Sequence, residues 1–171
     1  MKHPVLYLML GYPGSGKTTT AKAIHELTGA VHLWADHVRR ETYGEPTYTH
    51  EENLKLYEYL NKVTEQLLEA GQSVIFDTNF SFYRDRKKLR DIASIHSVPT
   101  KVVWVSTDKN VAKRRATADA HTQHTRVLGN MPEETFERMS QNLEEPHDDE
   151  DVIKVDGTKV TNDYIAKLLA L

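Results

Sequence analysis

Residues Gly11-Tyr12-Pro13-Gly14-Ser15-Gly16-Lys17-Thr18 fit the spacing G-x-x-x-x-G-K-[ST] without a departure. A buried-strand pattern, Pro4–Leu10, precedes them, and helically spaced Ala21, Ile24 and Leu27 follow. In that setting the glycines let backbone N–H groups close around phosphate oxygens, and the next helix aims its positive dipole end at the same point. Lys17 then reaches the β- and γ-phosphates, and the Thr18 hydroxyl is placed to ligate Mg²⁺. The expected nucleotide contacts are Gly11, Pro13, Gly14, Ser15, Gly16, Lys17, Thr18 and Thr19. The loop by itself does not separate kinases from GTPases, motor ATPases or nucleotide-dependent switches.

The rest of the chain alternates strand-like and helix-like runs, which argues for parallel βαβ units. Val31–Trp34, Ser73–Phe76, Lys101–Val105 and Val152–Val155 read as further strands. Thr49-His50-Glu51-Glu52 has the capping-box pattern and opens a long helix with Leu56, Leu60, Val63 and Leu67 on its apolar side, ended by Gly71. Residues 82–96 form a charged helix, with Leu89 and Ile92 turned inward and Arg84–Arg90 on an exposed face, one wall of an acceptor groove being the alternative for that cluster. Asp108 caps a helix through Thr117, Pro132 starts another, and Thr161 caps the last. The acidic run His147–Asp151 reads as a solvated turn. The expected fold is α/β: a three-layer, nucleoside-kinase-like P-loop NTPase with a mainly parallel five-stranded sheet, one domain over residues 1–171, and a helical and loop lid at about 113–131.

Composition narrows the classes. The 171 residues contain no cysteine, which excludes thiol catalysis and cysteine-ligated metal sites. The net charge of −3 is not that of a protein that coats polyanions. No apolar run approaches the ~20 residues that span a bilayer, so no membrane partner and a cytoplasmic location are the expectation. His121 and His124 lack a regularly spaced third ligand, which leaves them short of a transition-metal site.

Two aspartates end strand-like runs. Asp36 follows the second strand, where carboxyl ends of an open sheet face the ligand crevice, and Arg39 is three residues on. A carboxylate there can take the proton of an attacking hydroxyl while the guanidinium holds an anionic group of the acceptor; helix capping with an Asp36–Arg39 pair is the simpler alternative. Asp77 ends the third strand, in the position of a carboxylate that orients Mg²⁺, with a helix N-cap as its alternative.

The order GYPGSGKTT, ADHVRR, EAGQSVIFDTNF and YRDRKKLRDIA resembles the small P-loop phosphotransferases, which include the 5′-kinase domain of phage polynucleotide kinase, the zeta-type toxins and chloramphenicol phosphotransferase. The likeness runs over residues 5–105 and more loosely to Pro146. It implies Asp36 as general base and Arg39 as the arginine that holds a phosphate of the acceptor strand. Asp77-Thr78-Asn79, with Arg84 and Arg86 soon after, is closest to the polynucleotide kinase branch. The resemblance also implies lid arginines: Arg114 or Arg115 matches the first, while Ala118 and Asp119 stand where a second is expected, so that Arg126 becomes the substitute.

Together these readings imply ATP and Mg²⁺ as cofactors and an enzyme that moves the γ-phosphoryl group to a hydroxyl. The leading acceptor is a polynucleotide 5′-OH or a nucleotide-like molecule. The alternatives are a small-molecule kinase acting on an antibiotic, sugar or nucleotide-sugar, and an ATP-dependent binding switch.

Overall fold

A computed structural model describes residues 3–118 and 131–171. Five strands, β1 (Leu6–Leu10), β2 (Val31–Trp34), β3 (Val74–Asp77), β4 (Thr100–Val105) and β5 (Val152–Val155), form one sheet in the order β2-β3-β1-β4-β5, with every pairing parallel. Strand β1 is buried along its whole length, as its unbroken apolar run requires. Its side chains alternate between two cores. Leu6 and Leu8 face α3 (His50–Glu69) and α4 (Tyr83–Ile95) through Leu56, Leu60, Leu68, Leu89 and Ala93, while Tyr7 and Met9 face α1 (Lys17–Thr28) and α7 (Asn162–Leu168) through Ala21, Ile24 and Ile165. The expected three-layer α/β architecture is the one observed.

Strand β1 leads away to β2 on one side of the sheet and β4 leads away to β5 on the other. The carboxyl ends of these adjacent strands therefore open a crevice, and the Gly11–Gly16 loop lies at its mouth. Two more helices, α5 (Lys109–Thr117) and α6 (Glu133–Gln141), pack Ala112, Ala116 and Phe136 together with Tyr12 of that loop. Helix α2 (Ala35–Tyr43) hangs from the edge strand β2.

Three local expectations change. The buried face of α3 runs through Glu52, Leu56, Leu60, Thr64 and Leu68, and Val63 and Leu67 sit on its margin. A strict four-residue stripe wins there because Thr64 returns its hydroxyl to Leu60 O at 2.8 Å and so costs little to bury. The Arg84–Arg90 stretch is not one exposed face, since Arg86 is fully buried. Nor is 147–151 merely solvated: Glu150 meets Arg86 in a two-pronged bond, Nε to Oε1 at 2.7 Å and Nη2 to Oε2 at 3.0 Å. Arg86 also donates to Phe80 O, and His147 N donates to Glu150, so both ions are hydrogen-bonded beyond the pair itself. Around them Tyr83 and Arg90 both reach Asp149, and the Tyr83 ring stacks on His147 at 3.9 Å. This clasp ties α4 to the segment that leads into β5.

Arg86→Met alone is expected to destabilise the fold by about 3–5 kcal/mol, because it strands a buried carboxylate. The double variant Arg86→Met/Glu150→Leu recovers most of that loss, and urea unfolding of both proteins checks the difference.

Candidate active site

The phosphate loop is held from three sides. Within it, Ser15 N donates to Tyr12 O at 3.0 Å, and the Lys17 ammonium donates to Gly11 O at 3.0 Å and Tyr12 O at 2.8 Å. From the end of β4, Thr107 Oγ donates to Ser15 O at 2.6 Å. From the turn after β5, Gly157 lies so close that a Cβ there would overlap Ser15 O and Thr107 Oγ. Helix α5 closes the third side: Gly14, with φ of +75°, sits against Ala112 O and Ala116 N, where no side chain fits. Gly11, Pro13 and Ser15 are buried by this packing, Lys17 is 9% exposed, and Thr19 faces outward. The Ser15 hydroxyl is buried without a hydrogen-bond partner among the described residues.

Asp77 is the last residue of β3 and is buried, with Oδ2 2.9 Å from His32 Nε2 of β2. That ring begins a stack, His32 on Trp34 and Trp34 on His37, with the Lys22 ammonium 5.3 Å over Trp34. Asp77 is therefore a strand residue rather than the cap of α4, whose N-cap is Phe82. Thr18 opens the first turn of the helix after the loop, and Asp77 ends β3 with one oxygen not used by His32; these are the residues that could hold Mg²⁺, an ion bound through one or two protein oxygens, phosphates and water.

Past the end of β2, Asp36, the residue expected to face an acceptor, is the second residue of α2 and is exposed. The helix has Trp34 as N-cap with no side-chain cap, so capping is not the role of Asp36. Arg39 does not pair with it. It is buried, donating through Nη1 to Glu52 Oε1 at 2.5 Å and through Nη2 to Asn53 Oδ1 at 2.6 Å, with its guanidinium 4.7 Å from the Tyr48 ring. Glu52 is further held by the Thr47 N–H and hydroxyl, each at 2.8 Å. Thr49 does accept from Glu52 N, but the capping box is not closed reciprocally, because the Glu52 carboxylate has turned to Arg39 and Thr47. Burial alone would raise the Glu52 pKa; these hydrogen bonds and the Arg39 charge outweigh it and hold the carboxyl down to about 2.

Hydroxyls complete this side. Tyr57 OH and Thr78 Oγ are 2.6 Å apart, so a side chain of α3 meets the residue after β3. Burial chiefly raises the pKa values of both Tyr48 and Tyr57, and the charge of Asp36 raises them further, which sets both phenols in the field of that carboxylate.

Of the two arginines expected near the phosphates at the end of α5, Arg114 is exposed, whereas Arg115 donates to Gly157 O at 3.1 Å and so lies over the loop. Arg126 falls outside the described residues, as do His121 and His124. Sequence reasoning passed over Thr107, Gly157, His32, Tyr48 and Tyr57. Gly157 had one available signal, an Asp-Gly turn directly after a strand that ends beside the phosphate loop.

A family profile described as an AAA domain matches residues 6–146. The chain belongs to that family. Solved structures extend the likeness of this AAA domain over nearly all of its length. An inferred kinase from Chloroflexus aurantiacus J-10-fl has a TM-score of 0.77 at 16% identity, covering 99% of this chain and 98% of its own. A sugar kinase from Janibacter sp. HTCC2649 has a TM-score of 0.70 at 22% identity, covering 99% and 94%. A gluconokinase from Sinorhizobium meliloti 1021 has 0.68 at 20%, covering 99% and 92%. At these identities the likeness establishes the P-loop kinase fold. No curated protein sequence matches this AAA domain significantly. Among its described residues no helix is long and apolar enough to cross a membrane.

Two outcomes follow from this geometry. Gly157→Ala should weaken Mg·ATP binding by about tenfold or more, because the new methyl displaces Ser15, and calorimetric titration reads it directly. Glu52 contributes stability that is complete above the ordinary carboxylate range and is lost as pH falls from about 4.5 towards 2. Glu52→Gln should therefore be less stable than the wild type at pH 7 and lose less between pH 5 and pH 2.5, as thermal unfolding across that range would show.

Proposed function

We propose that the protein is an ATP-dependent phosphotransferase that acts on a hydroxyl of a small, polar acceptor. What supports this reading is a braced phosphate loop directly after β1 together with Asp36, just past β2, whose charge acts on the phenols of Tyr48 and Tyr57. Backbone amides of the loop and Lys17 hold the donor phosphates, and Thr18 and Asp77 are the residues that would hold Mg²⁺, which when bound neutralises charge on the β- and γ-phosphate oxygens. The acceptor oxygen bonds to the γ-phosphorus as the bond to the β–γ bridging oxygen breaks. ADP leaves, and the hydroxyl proton passes to Asp36. Arg115, which reaches Gly157 O beside the loop, is one candidate to neutralise charge on the transferring group, with Arg114 and Arg126 as the other lid candidates.

A small acceptor is favoured because Arg39, the guanidinium that the polynucleotide kinase resemblance assigns to a strand phosphate, already has both terminal nitrogens in a buried bond to Glu52 and Asn53. What the cleft presents instead are hydroxyls. One observation favours the polynucleotide reading: an open groove of about 510 Å³ along α4 is lined by Arg84, Lys87 and Lys88. Lys87 is there tied to Asp91, which reduces the charge on offer.

Transfer from γ-labelled ATP to a panel of sugars, sugar acids, nucleosides, hydroxyl-bearing antibiotics and 5′-OH oligonucleotides tests the reading. Label is expected on a small molecule and absent with Lys17→Ala. Label on oligonucleotide ends would move the acceptor to a polymer, and release of free phosphate alone would favour a nucleotide switch. Asp36→Asn should lower kcat by about 10²–10⁴-fold with the KM for ATP little changed. Collapse of ATP affinity instead would make Asp36 a donor-side residue.

A further inference from the structure

Two consecutive guanidinium groups on α2, those of Arg39 and Arg40, have an Nε–H shut off from solvent with no acceptor among the described residues. Arg39 is 4% exposed, and its other two nitrogens are satisfied. Arg40 is different: among the described residues its side chain makes no hydrogen bond and no ion pair. An orphaned, charged donor is a cost that a fold keeps only where something else meets it.

The position of Arg40 indicates what that is. It lies four residues after Asp36, so the two share one flank of α2. Arg39 lies on the buried side, turned to α3, and His37 with Glu41 forms an exposed pair on the solvent side. Arg40 and Asp36 thus lie on the flank between those two faces, Asp36 exposed and Arg40 half-buried. Tyr48 marks the same place from the other direction, since Asp36, Arg39, Arg40 and Glu52 are the charges that act on its phenol. Tyr48 also holds a left-handed backbone with φ of +55°, a conformation that a bulky residue adopts only when its surroundings impose it.

We propose that the acceptor carries a compact oxyanion, a carboxylate or a phosphate, which seats on Arg40 with Tyr48 closing over it, while the hydroxyl to be phosphorylated lies at Asp36. This rests on the phosphotransferase reading above and adds the acceptor's charge to it. Arg39, held by Glu52, fixes the wall behind, and Arg40 supplies the grip. Planar, bidentate recognition of an oxyanion is the task to which a guanidinium is best fitted, and its charge-assisted bonds are stronger than those between neutral groups.

Matched acceptors that differ only in one anionic group test the proposal with the full chain: a sugar and its aldonic acid, a sugar and its phosphate ester, a nucleoside and its 3′-phosphate. The wild type is expected to favour one anionic member by about tenfold or more in kcat/KM. The carboxylate and phosphate pairs show which oxyanion it takes. Arg40→Gln should raise the KM for that member and erase the preference, leaving the neutral member, kcat and the KM for ATP unchanged, and Arg40→Lys should restore part of it. Equal losses on both members, or no preference in the wild type, would overturn it. A second measurement keeps this separate from the fate of the phosphotransferase reading. Inorganic phosphate is titrated calorimetrically into Lys17→Ala and into Lys17→Ala/Arg40→Gln. Binding about tenfold weaker in the double variant supports the Arg40 site even if no acceptor in the panel takes label, a result that would sink the phosphotransferase reading alone. Equal binding overturns the site.

Discussion

The Ser15 carbonyl is where the molecule is held together for its chemistry. Thr107 donates to it from the end of β4, and Gly157 presses on it from the turn after β5. A glycine-rich loop has little to hold it in place by itself, because glycine gives up more backbone freedom on folding than any other residue. Here that freedom is removed by residues that follow β4, the direct partner of β1, and β5 beyond it. The nucleotide cradle is thus not a local motif but a junction of β1, β4 and β5, and its geometry depends on the register of all three.

The acceptor half is built on a different principle. Buried charge replaces backbone bracing: Arg39, Glu52, Asn53 and Thr47 hydrogen-bond to one another, with the Arg39 Nε–H left over, and join α2 to the start of α3. Such pairs are costly to desolvate and are strong only when fully hydrogen-bonded, as Glu52 is through both its oxygens. Beside this buried network stands the exposed carboxylate of Asp36, whose charge acts on the phenols of Tyr48 and Tyr57.

Features whose cause is local could be read from the sequence. The phosphate loop, the exact length of β2 and β5, the Asp108 and Thr161 caps and the close of α3 near Gly71 all follow from neighbouring residues, and the structure has them. Features whose cause is a distant partner could not. Glu52 carries the right signature for a capping box, yet its carboxylate turns to Arg39, thirteen residues away. Glu150 sits in an acidic run that looks solvated until Arg86, sixty-four residues earlier, is placed against it. Asp36 and Arg39 have the spacing of a pair but separate, because the three-residue step puts one at the margin of α2 and the other on its buried side. Periodicity shows which residues can share a face; it does not show which of two faces another helix will cover.

The sheet order has a consequence for how the molecule loosens. The donor loop rises from β1, the central strand, buried throughout and paired on both sides, whereas Asp36 and its helix hang from β2, a four-residue edge strand that is only half-buried. Local opening starts where fewest contacts must be broken at once, and an edge strand has half the ladder of a central one. The cradle's outer brace hangs in the same way, because Gly157 follows β5, the other four-residue edge strand. Fraying at either edge therefore costs one half of the transfer and spares the other: opening at β2 releases the helix that carries Asp36, opening at β5 slackens the grip on Ser15, and only β1 is common to both.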